Sequence, residues 1–311
     1  MEQIQGTHRM VRRETLRGSV LTLLGGVFWG LAGVFGQYIF ENKEISAKWL
    51  VSVRLVIAGL LLLSTVFARQ KKEAFAIWKN RRDVVQLLLF GLFGMAFCQL
   101  TYYMAVEASN AGTATVLQYT APVMIMIYLA LRNRKMPQKI EMAALVLALA
   151  GTFLLATHGN PTSLSMSTFA LTVGLLSAVA MVLYNLLPGK LMDKYGTFCV
   201  VGWGMLTGGI FLCAIIKPWH VEGIWDWQTV TCMAVVIVVG TVLSFGTYME
   251  GVRLIGASRA SLFASVEPLT ATLATVLFLH VAFGIMDFAG FVCIIAAVIL
   301  LALPKKKTES R

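Results

Sequence analysis

Residues 94–123 read GMAFCQLTYYMAVEASNAGTATVLQYTAPV, and residues 240–269 read GTVLSFGTYMEGVRLIGASRASLFASVEPL. When the second stretch is set against the first at a constant offset of 146, glycine meets glycine at the start of both. Further matches pair Tyr102 with Tyr248, Ala111 with Ala257, Ala114 with Ala260, and Pro122 with Pro268. The matched tyrosines and prolines weigh more than the alanines, because alanine is common in apolar sequence. The sequence therefore predicts an internal repeat.

The composition is that of a protein embedded in a lipid bilayer. Of the 311 residues, 58% are hydrophobic and 13% are charged, and the mean hydropathy is +0.77. A soluble domain carries about 25% charged residues, and a spanning helix needs about 20 apolar residues. Ten apolar runs have this length: 19–40, 46–67, 84–106, 110–131, 139–157, 167–188, 197–216, 228–249, 257–279 and 284–303. We therefore expect an all-α integral membrane protein with ten transmembrane helices.

The basic residues between these runs predict the orientation of the chain. Of 26 Lys and Arg residues, Lys43, Lys48 and Lys217 lie on one side and Arg54 lies inside the second run, which leaves 22 on the other side. Basic loops stay in the cytoplasm, so both termini are predicted to be cytoplasmic, with the protein in the cell membrane. The net charge of +11 reports this topology. No helix-turn-helix, zinc-finger or RNP pattern indicates a nucleic-acid partner.

The repeat divides the chain into two halves of five helices each. We expect a cytoplasmic tail at 1–18, a first repeat at 19–157, a second repeat at 167–303, and a basic cytoplasmic tail at 304–311. Five is odd, so the two halves must enter the membrane from opposite sides. Such inverted repeats place a substrate near the bilayer midplane, between the halves and beside broken helices.

Five stretches stand out in the two repeats: GGVFWGLAGVFGQYIF around Trp29, SVRLVIAGLLLL with Arg54, ASNAGTATVLQYTAPV, GASRASLFASVEPLTATLA and GTFLLAT. They resemble the drug/metabolite transporter superfamily of EamA type. The acid that this family often carries after the fourth and ninth helices is missing from LRNRKMPQ and LHVAFGIM. The resemblance implies a secondary transporter of a small organic metabolite, with an amino acid or amine favoured and export as the direction. Sugar-, nucleotide- or drug-type solutes stay open as alternatives.

Glu267 and Pro268 stand together inside an apolar run, where a carboxylate costs about 2.5 kcal/mol or more. Proline frees a carbonyl one turn earlier, and neighbouring polar groups can occupy it. The carboxylate could bind a cation or an amine, or carry a proton. It could equally form a structural ion pair with Arg54. Pro122, the counterpart of Pro268 and a second expected helix break, has no acid before it.

Arg54 has three interpretations. It could attract a substrate carboxylate, reach with its long side chain to the membrane interface, or pair with Glu267. The further candidate substrate-binding residues are aromatic, amide or hydroxyl side chains inside the apolar runs: Trp29, Gln99, Tyr102, Gln118, Tyr184, Asn185, Ser244, Tyr248 and Ser265. The alternatives are interface positions for the tyrosines and helix packing for the small polar residues.

The sequence also argues against several classes of protein. No Walker A motif, HExxH motif or recognisable Ser/His/Asp spacing is present, and the five cysteines lack metal-ligand spacing. We therefore expect no enzymatic activity, no cofactor and no metal. The expected partners are a small-molecule substrate and the lipid bilayer, in a monomer or homodimer. A coupling proton or cation stays open as a further partner. A membrane scaffold or sensor without transport is the rival class.

Overall fold

The protein is described by a computed structural model that covers residues 2–109, 111–164, 166–279 and 284–302. The regular structure in these residues is helical, as the composition predicts. The principal helices are α1 (Glu2–Asn42), α2 (Ala47–Gln70), α3 (Arg81–Ala108), α4a (Ala111–Gln118), α4b (Ala121–Asn133), α5 (Lys139–Thr157), α6 (Thr168–Leu186), α7 (Thr197–Ile216), α8 (Trp227–Ile255), α9a (Ala257–Phe263), α9b (Val266–Leu279) and α10 (Ile285–Ala302). Short helical segments lie at Lys71–Lys79, Pro161–Leu164 and Gly189–Tyr195.

The prediction of an all-helical membrane protein is confirmed. In the described residues, nine helices are long and apolar enough to cross a membrane. The remaining predicted run, 257–279, is present as the two shorter pieces α9a and α9b. Most predicted boundaries differ from the observed ones by a few residues. The exception is α1, which begins at Glu2 and so continues the first span into the predicted N-terminal tail.

Interruptions in the helices recur at matched positions in the two halves. A π-helical segment spans Phe90–Ala96 in α3, and another spans Val235–Leu243 in α8. The fourth helix breaks at residues 119–120, and the ninth breaks at residues 264–265. Each interruption lies close to 146 residues from its counterpart, so the sequence repeat is also a repeat of backbone irregularities.

The helix pairings have the symmetry expected of two related halves. The most extensive pairings are α2 with α7, α1 with α8, α5 with α10, and α3 with α6. Helices α1 to α5 correspond to helices α6 to α10. If the two halves are exchanged, the α2–α7 pair and the α5–α10 pair each map onto themselves, and the α1–α8 pair maps onto the α6–α3 pair. Glycines allow the close approach of α2 and α7, because a Cβ on Gly59 would lie 2.6 Å from the Leu206 nitrogen.

Two loops at opposite ends of the bundle are each held by a hydrogen bond from a tryptophan indole nitrogen to a loop carbonyl. The indole nitrogen of Trp203 donates to the Ala74 carbonyl at 2.9 Å, and that of Trp49 donates to the His220 carbonyl at 3.0 Å. Ala74 and His220 are 146 residues apart. A tryptophan of the other half therefore anchors each loop.

We call the end of the bundle that carries the 70–81 and 186–197 connections the basic end, and the other the opposite end. At the basic end, Glu250 accepts from Arg253 at 2.6 Å and from the Thr197 hydroxyl, and Arg17 lies 3.8 Å away. Arg259 reaches Glu141 at 3.2 Å. These contacts tie together α1, α7 and α8, and separately α5 and α9a.

At the opposite end, Lys43 and Asp226 join the 42–47 connection to the start of α8. The Lys43 ammonium lies 2.6 Å from an Asp226 carboxylate oxygen. The hydrogen bond from Lys43 lowers the pKa of Asp226 to about 2. The pair therefore stays ionised across the physiological pH range.

Candidate functional site

The breaks in the fourth and ninth helices meet inside the bundle. Pro268 has no N–H to give to Ala264, so the Ala264 carbonyl is left without its ordinary helical donor. The Tyr119 hydroxyl donates to this carbonyl at 2.6 Å, and the Glu267 N–H donates to it at 2.9 Å. The expectation that polar groups occupy the freed carbonyl is confirmed. Tyr119, at the break in the fourth helix, thereby joins the two broken helices.

An inner chamber of about 60 Å³ lies beside these breaks. Its lining is Trp29, Ala32, Gly33, Arg54, Cys98, Gln99, Tyr102, Tyr103, Gln118, Met181, Tyr184, Gly240, Phe245 and Glu267. The ring of Trp29 packs on Phe245 at 4.9 Å and on Tyr248 at 4.8 Å between centroids. The chamber thus combines one carboxylate, one guanidinium and two amides with several aromatic faces.

A second cavity, the vestibule, has a volume of about 280 Å³. Its lining is Trp29, Gly30, Gly33, Val34, Gln37, Tyr102, Gly112, Thr115, Thr152, Leu155, Ala156, His158, Glu267, Pro268, Ala271 and Thr272. The walls include Gln37 near the end of α1, Gly112 near the start of α4a, and His158 just after α5. All three lie toward the opposite end of the bundle, so the vestibule leads in that direction.

Glu267 stands on the partition between the two cavities. It lines both of them, together with Trp29, Gly33 and Tyr102. The Tyr119 hydroxyl lies 3.4 Å from its Oε2 atom. A carboxylate placed there can contact a solute on either side of the partition.

Arg54 is 2% exposed and lies on the wall of the inner chamber. Its Nη1 donates to the Tyr103 hydroxyl at 2.8 Å, its Nη2 donates to the Gln99 side-chain oxygen, and its guanidinium lies 4.3 Å from the Tyr103 ring centroid. Its Nε has no hydrogen-bond partner. No ion pair within 4.0 Å joins Arg54 to Glu267, although both residues are described.

A second buried polar group on the chamber wall is also unsatisfied. The Tyr184 side chain is 2% exposed, and its hydroxyl has no hydrogen-bond partner. Burying a donor without a partner costs about 1–3 kcal/mol. The chamber therefore presents two polar atoms, on Arg54 and Tyr184, that a bound solute can satisfy.

The structure separates the predicted site residues, which are the substrate-binding candidates together with Arg54 and the two prolines at the helix breaks, into two groups. One group lines the chamber or the vestibule: Trp29, Arg54, Gln99, Tyr102, Gln118, Tyr184, Glu267 and Pro268. The other lines neither cavity: Pro122, Asn185, Ser244, Tyr248 and Ser265. The roles predicted for both groups, in substrate binding, charge pairing or helix breaking, stay predictions.

Hydrogen bonding explains the position of the second group. The Tyr248 hydroxyl donates to the Asn185 amide oxygen at 2.8 Å, and the Asn185 amide nitrogen donates to the Met181 carbonyl at 2.8 Å. The hydroxyls of Ser244 and Ser265 each donate to a carbonyl of their own helix at 2.7 Å. These polar groups are buried, and their hydrogen-bond partners are other groups of the protein.

Tyr119 and Thr152 are site residues that the sequence interpretation missed. Thr152 is 1% exposed, lines the vestibule, and has an unsatisfied hydroxyl. Tyr119 had a usable signal, since it lies three residues before Pro122 in a matched stretch of the repeat. Thr152 had none, because a threonine in an apolar helix commonly bonds to its own backbone.

Comparison with known proteins shows which family the sequence matches. The EamA-like transporter family matches residues 16–157 and again residues 168–303. An uncharacterized inner membrane transporter of Salmonella typhimurium, YicL, is 39% identical over 293 residues, which cover 94% of this chain and 97% of that protein. The uncharacterized transporter YcbK of Bacillus subtilis is 21% identical over 285 residues, covering 89% and 90%. A solved crystal structure shares the fold with a TM-score of 0.73 at 15% identity, covering 93% of this chain and 96% of that one.

Proposed function

The chain belongs to the EamA-like transporter family, and on this premise we propose that it moves an amino acid or an amine across the cell membrane by alternating access. The two repeats, 19–157 and 167–303, are the units that move relative to each other. Export is the proposed net direction, supported by the family resemblance. The chain has no ATP-binding motif, so the proposed transport is secondary.

The position of Glu267 carries this proposal. Its carboxylate lies at a helix break, on the partition between two cavities, beside the rings of Trp29 and Tyr102. An ammonium group is stabilised by a carboxylate and by aromatic faces. An acid kept within a membrane span at this cost is best explained by contact with a cationic group of the solute or with a coupling proton.

The two ends of the bundle support alternating access. The vestibule leads toward the opposite end, while the basic end is held by the Glu250 and Arg259 contacts. With the basic end in the cytoplasm, as the positive-inside rule predicts, this conformation faces outward. Transport then requires the contacts at the basic end to open while the vestibule closes.

Solute counterflow in liposomes tests the proposed function. Purified protein is reconstituted, and exchange is measured with labelled amino acids, amines, sugars and nucleosides. We expect exchange of an amino acid or amine, and Glu267→Gln should reduce it at least about tenfold because a neutral amide binds an ammonium weakly. Glu107→Gln is the matched control, since Glu107 is an exposed acid near the end of α3. Absence of exchange for every solute, with folded protein, contradicts the proposal.

Cysteine labelling tests the orientation. In a variant that lacks the five native cysteines, Lys79→Cys at the basic end and Trp219→Cys at the opposite end are each exposed positions. A membrane-impermeant maleimide added to whole cells should label residue 219 and leave residue 79 unlabelled until the membrane is permeabilised. The reverse pattern contradicts the proposed cytoplasmic termini.

A further inference from the structure

The connection between α2 and α3 presents exposed aromatic rings at the basic end of the bundle. Its short helical segment, Lys71–Lys79, buries Ile77 completely and leaves Phe75 and Trp78 exposed. The ring centroids of Phe75 and Trp78 lie 5.5 Å and 5.1 Å from that of Trp203 on α7. The bundle therefore holds both rings in place, while part of each ring stays accessible.

Exposed cations flank these rings along the chain. They stand at the last turn of α2, at the end of the short helical segment and at the start of α3, so that they bracket the ends of two membrane-spanning helices. They are Arg69, Lys79, Arg81 and Arg82. Among the side chains that the structure describes, no carboxylate lies within 4.0 Å of any of the four. Their charge is thus uncompensated at the level where the helices leave the bilayer core.

Asp83, an acid in the first turn of α3, is already paired with other groups. The Lys194 ammonium lies 2.5 Å from its Oδ2 atom, and the Tyr195 hydroxyl donates to the same oxygen at 2.6 Å. Both partners belong to the second half of the chain. Asp83 therefore links the two halves at the basic end, and it forms no ion pair with the neighbouring Arg81 and Arg82.

The loop related by the 146-residue offset has exposed aromatic rings without the positive charge. Residues 69–83 include six basic and two acidic residues, whereas residues 215–229 include one basic and two acidic residues. Trp219 and Trp225 are exposed in the second loop. A tryptophan of the other half anchors each loop. Anchored loops with exposed rings are therefore common to both ends of the bundle, and the excess of cations is specific to the basic end.

The two exposed rings and the four cations together form what we call the basic surface: Arg69, Phe75, Trp78, Lys79, Arg81 and Arg82. We propose that the basic surface binds an anionic phospholipid of the surrounding bilayer. Its guanidinium and ammonium groups bind the lipid phosphate, and its rings lie against the interfacial part of the lipid, where tryptophan is preferred. Basic residues next to a spanning helix are attracted to anionic lipid, and the rings favour a lipid over a soluble anion. This lipid site is separate from the solute pathway, because none of the six residues lines the chamber or the vestibule.

Lipid binding to the unaltered protein is the first test. Delipidated protein in a neutral detergent is titrated with phosphatidylglycerol, with phosphatidylcholine and with inorganic phosphate, and bound lipid is counted by native mass spectrometry. We expect phosphatidylglycerol to bind at least about tenfold more tightly than phosphatidylcholine, whose choline group neutralises its phosphate. Equal affinity for the two lipids, or displacement of phosphatidylglycerol by an equal concentration of inorganic phosphate, overturns the proposal.

Removing three cations of the basic surface locates the site. The triple variant Lys79→Gln, Arg81→Gln and Arg82→Gln should bind phosphatidylglycerol more than about tenfold more weakly, since each basic residue near anionic lipid contributes about fivefold. Its binding of phosphatidylcholine should not change. The charge-conserving variant Lys79→Arg, Arg81→Lys and Arg82→Lys should keep the preference for phosphatidylglycerol. An equally large loss in the charge-conserving variant contradicts recognition by charge.

A matched control removes the same charge elsewhere at the basic end. The connection between α4b and α5 has three exposed cations, which are changed together in Arg132→Gln, Arg134→Gln and Lys135→Gln. This variant should bind phosphatidylglycerol as tightly as the unaltered protein does. Equal losses in the two neutral triple variants mean that binding follows the total charge alone, and the basic surface is then not a site. If the neutral variant of the basic surface does not fold, the lipid series on the unaltered protein still decides the question.

Discussion

The broken fourth and ninth helices have the same backbone design and different chemistry. Both stop within two residues of positions related by the 146-residue offset, and both resume just before a proline. The ninth helix places Glu267 at the resumption, on the wall of two cavities. The matched residue of the fourth helix is Ala121, which is fully buried in the core. The repeat thus preserved the break and let the side chains diverge.

The divergence explains how a symmetric scaffold contains an asymmetric site. A break frees backbone groups in either half, and neighbouring polar groups satisfy them. Tyr119 uses its hydroxyl to satisfy the carbonyl freed in the other half. One break therefore supplies a structural tie, and the other supplies a carboxylate.

Moving the acid to the matched position should give the largest effect. Ala121→Glu places a carboxylate where the structure has a fully buried methyl group that lines neither the chamber nor the vestibule. We expect destabilisation of about 2.5 kcal/mol or more from the charge, with overpacking adding about 1–3 kcal/mol. The measurement is the yield of monodisperse protein and its unfolding midpoint in SDS.

Ala121→Gln is the control for this experiment, because it adds similar volume without an ion. The difference between the two variants isolates the cost of the charge. A stable Ala121→Glu variant that restores exchange to Glu267→Gln would show that the two breaks are equivalent after all.

Removing the tie between the breaks should have a moderate effect. Tyr119→Phe deletes the hydroxyl that reaches the Ala264 carbonyl, and the Glu267 N–H remains as its other donor. We expect a loss of about 1 kcal/mol in the free energy of unfolding. In a Pro268→Ala background the loss should shrink, because the new N–H at residue 268 can bond to the same carbonyl. Equal losses in both backgrounds contradict the role assigned to Tyr119.

The corresponding changes in the fourth helix should have the smallest effect. Pro122 lies in the first turn of α4b, where a missing N–H is tolerated, and it lines neither cavity. Pro122→Ala loses the packing of a buried ring but gains an N–H that can form a hydrogen bond, so the two effects offset and stability should change by about 0.5 kcal/mol. Counterflow should stay close to wild type. Tyr128→Phe, on the exposed face of the same helix, is the control for the Tyr119→Phe variant above, because it also removes a tyrosine hydroxyl. A large transport defect in Pro122→Ala would show that both breaks serve transport.

Much of the fold was predictable because the bilayer core places the same requirement on every spanning helix. The spans follow from hydropathy, since every span must be apolar over about 20 residues. The offset that matches Pro122 with Pro268 also anticipated where the helices break. The site was predictable in part. Trp29, Gln99 and Glu267 were predicted because polar or bulky groups in mid-span need a reason to be there, and all three line the chamber.

The sequence by itself determined the class of protein, the approximate number of spans and the two-fold repeat, because these depend on local apolarity and on spacing along the chain. Tertiary structure alone decided that Asn185 and Tyr248 satisfy each other beneath the chamber, that Arg54 contacts Gln99 and Tyr103, and that Tyr119 reaches across to Ala264. The rotation of a helix that is apolar on all sides is set by its packing partners. Which face of each helix meets the solute is therefore fixed only when the helices are assembled.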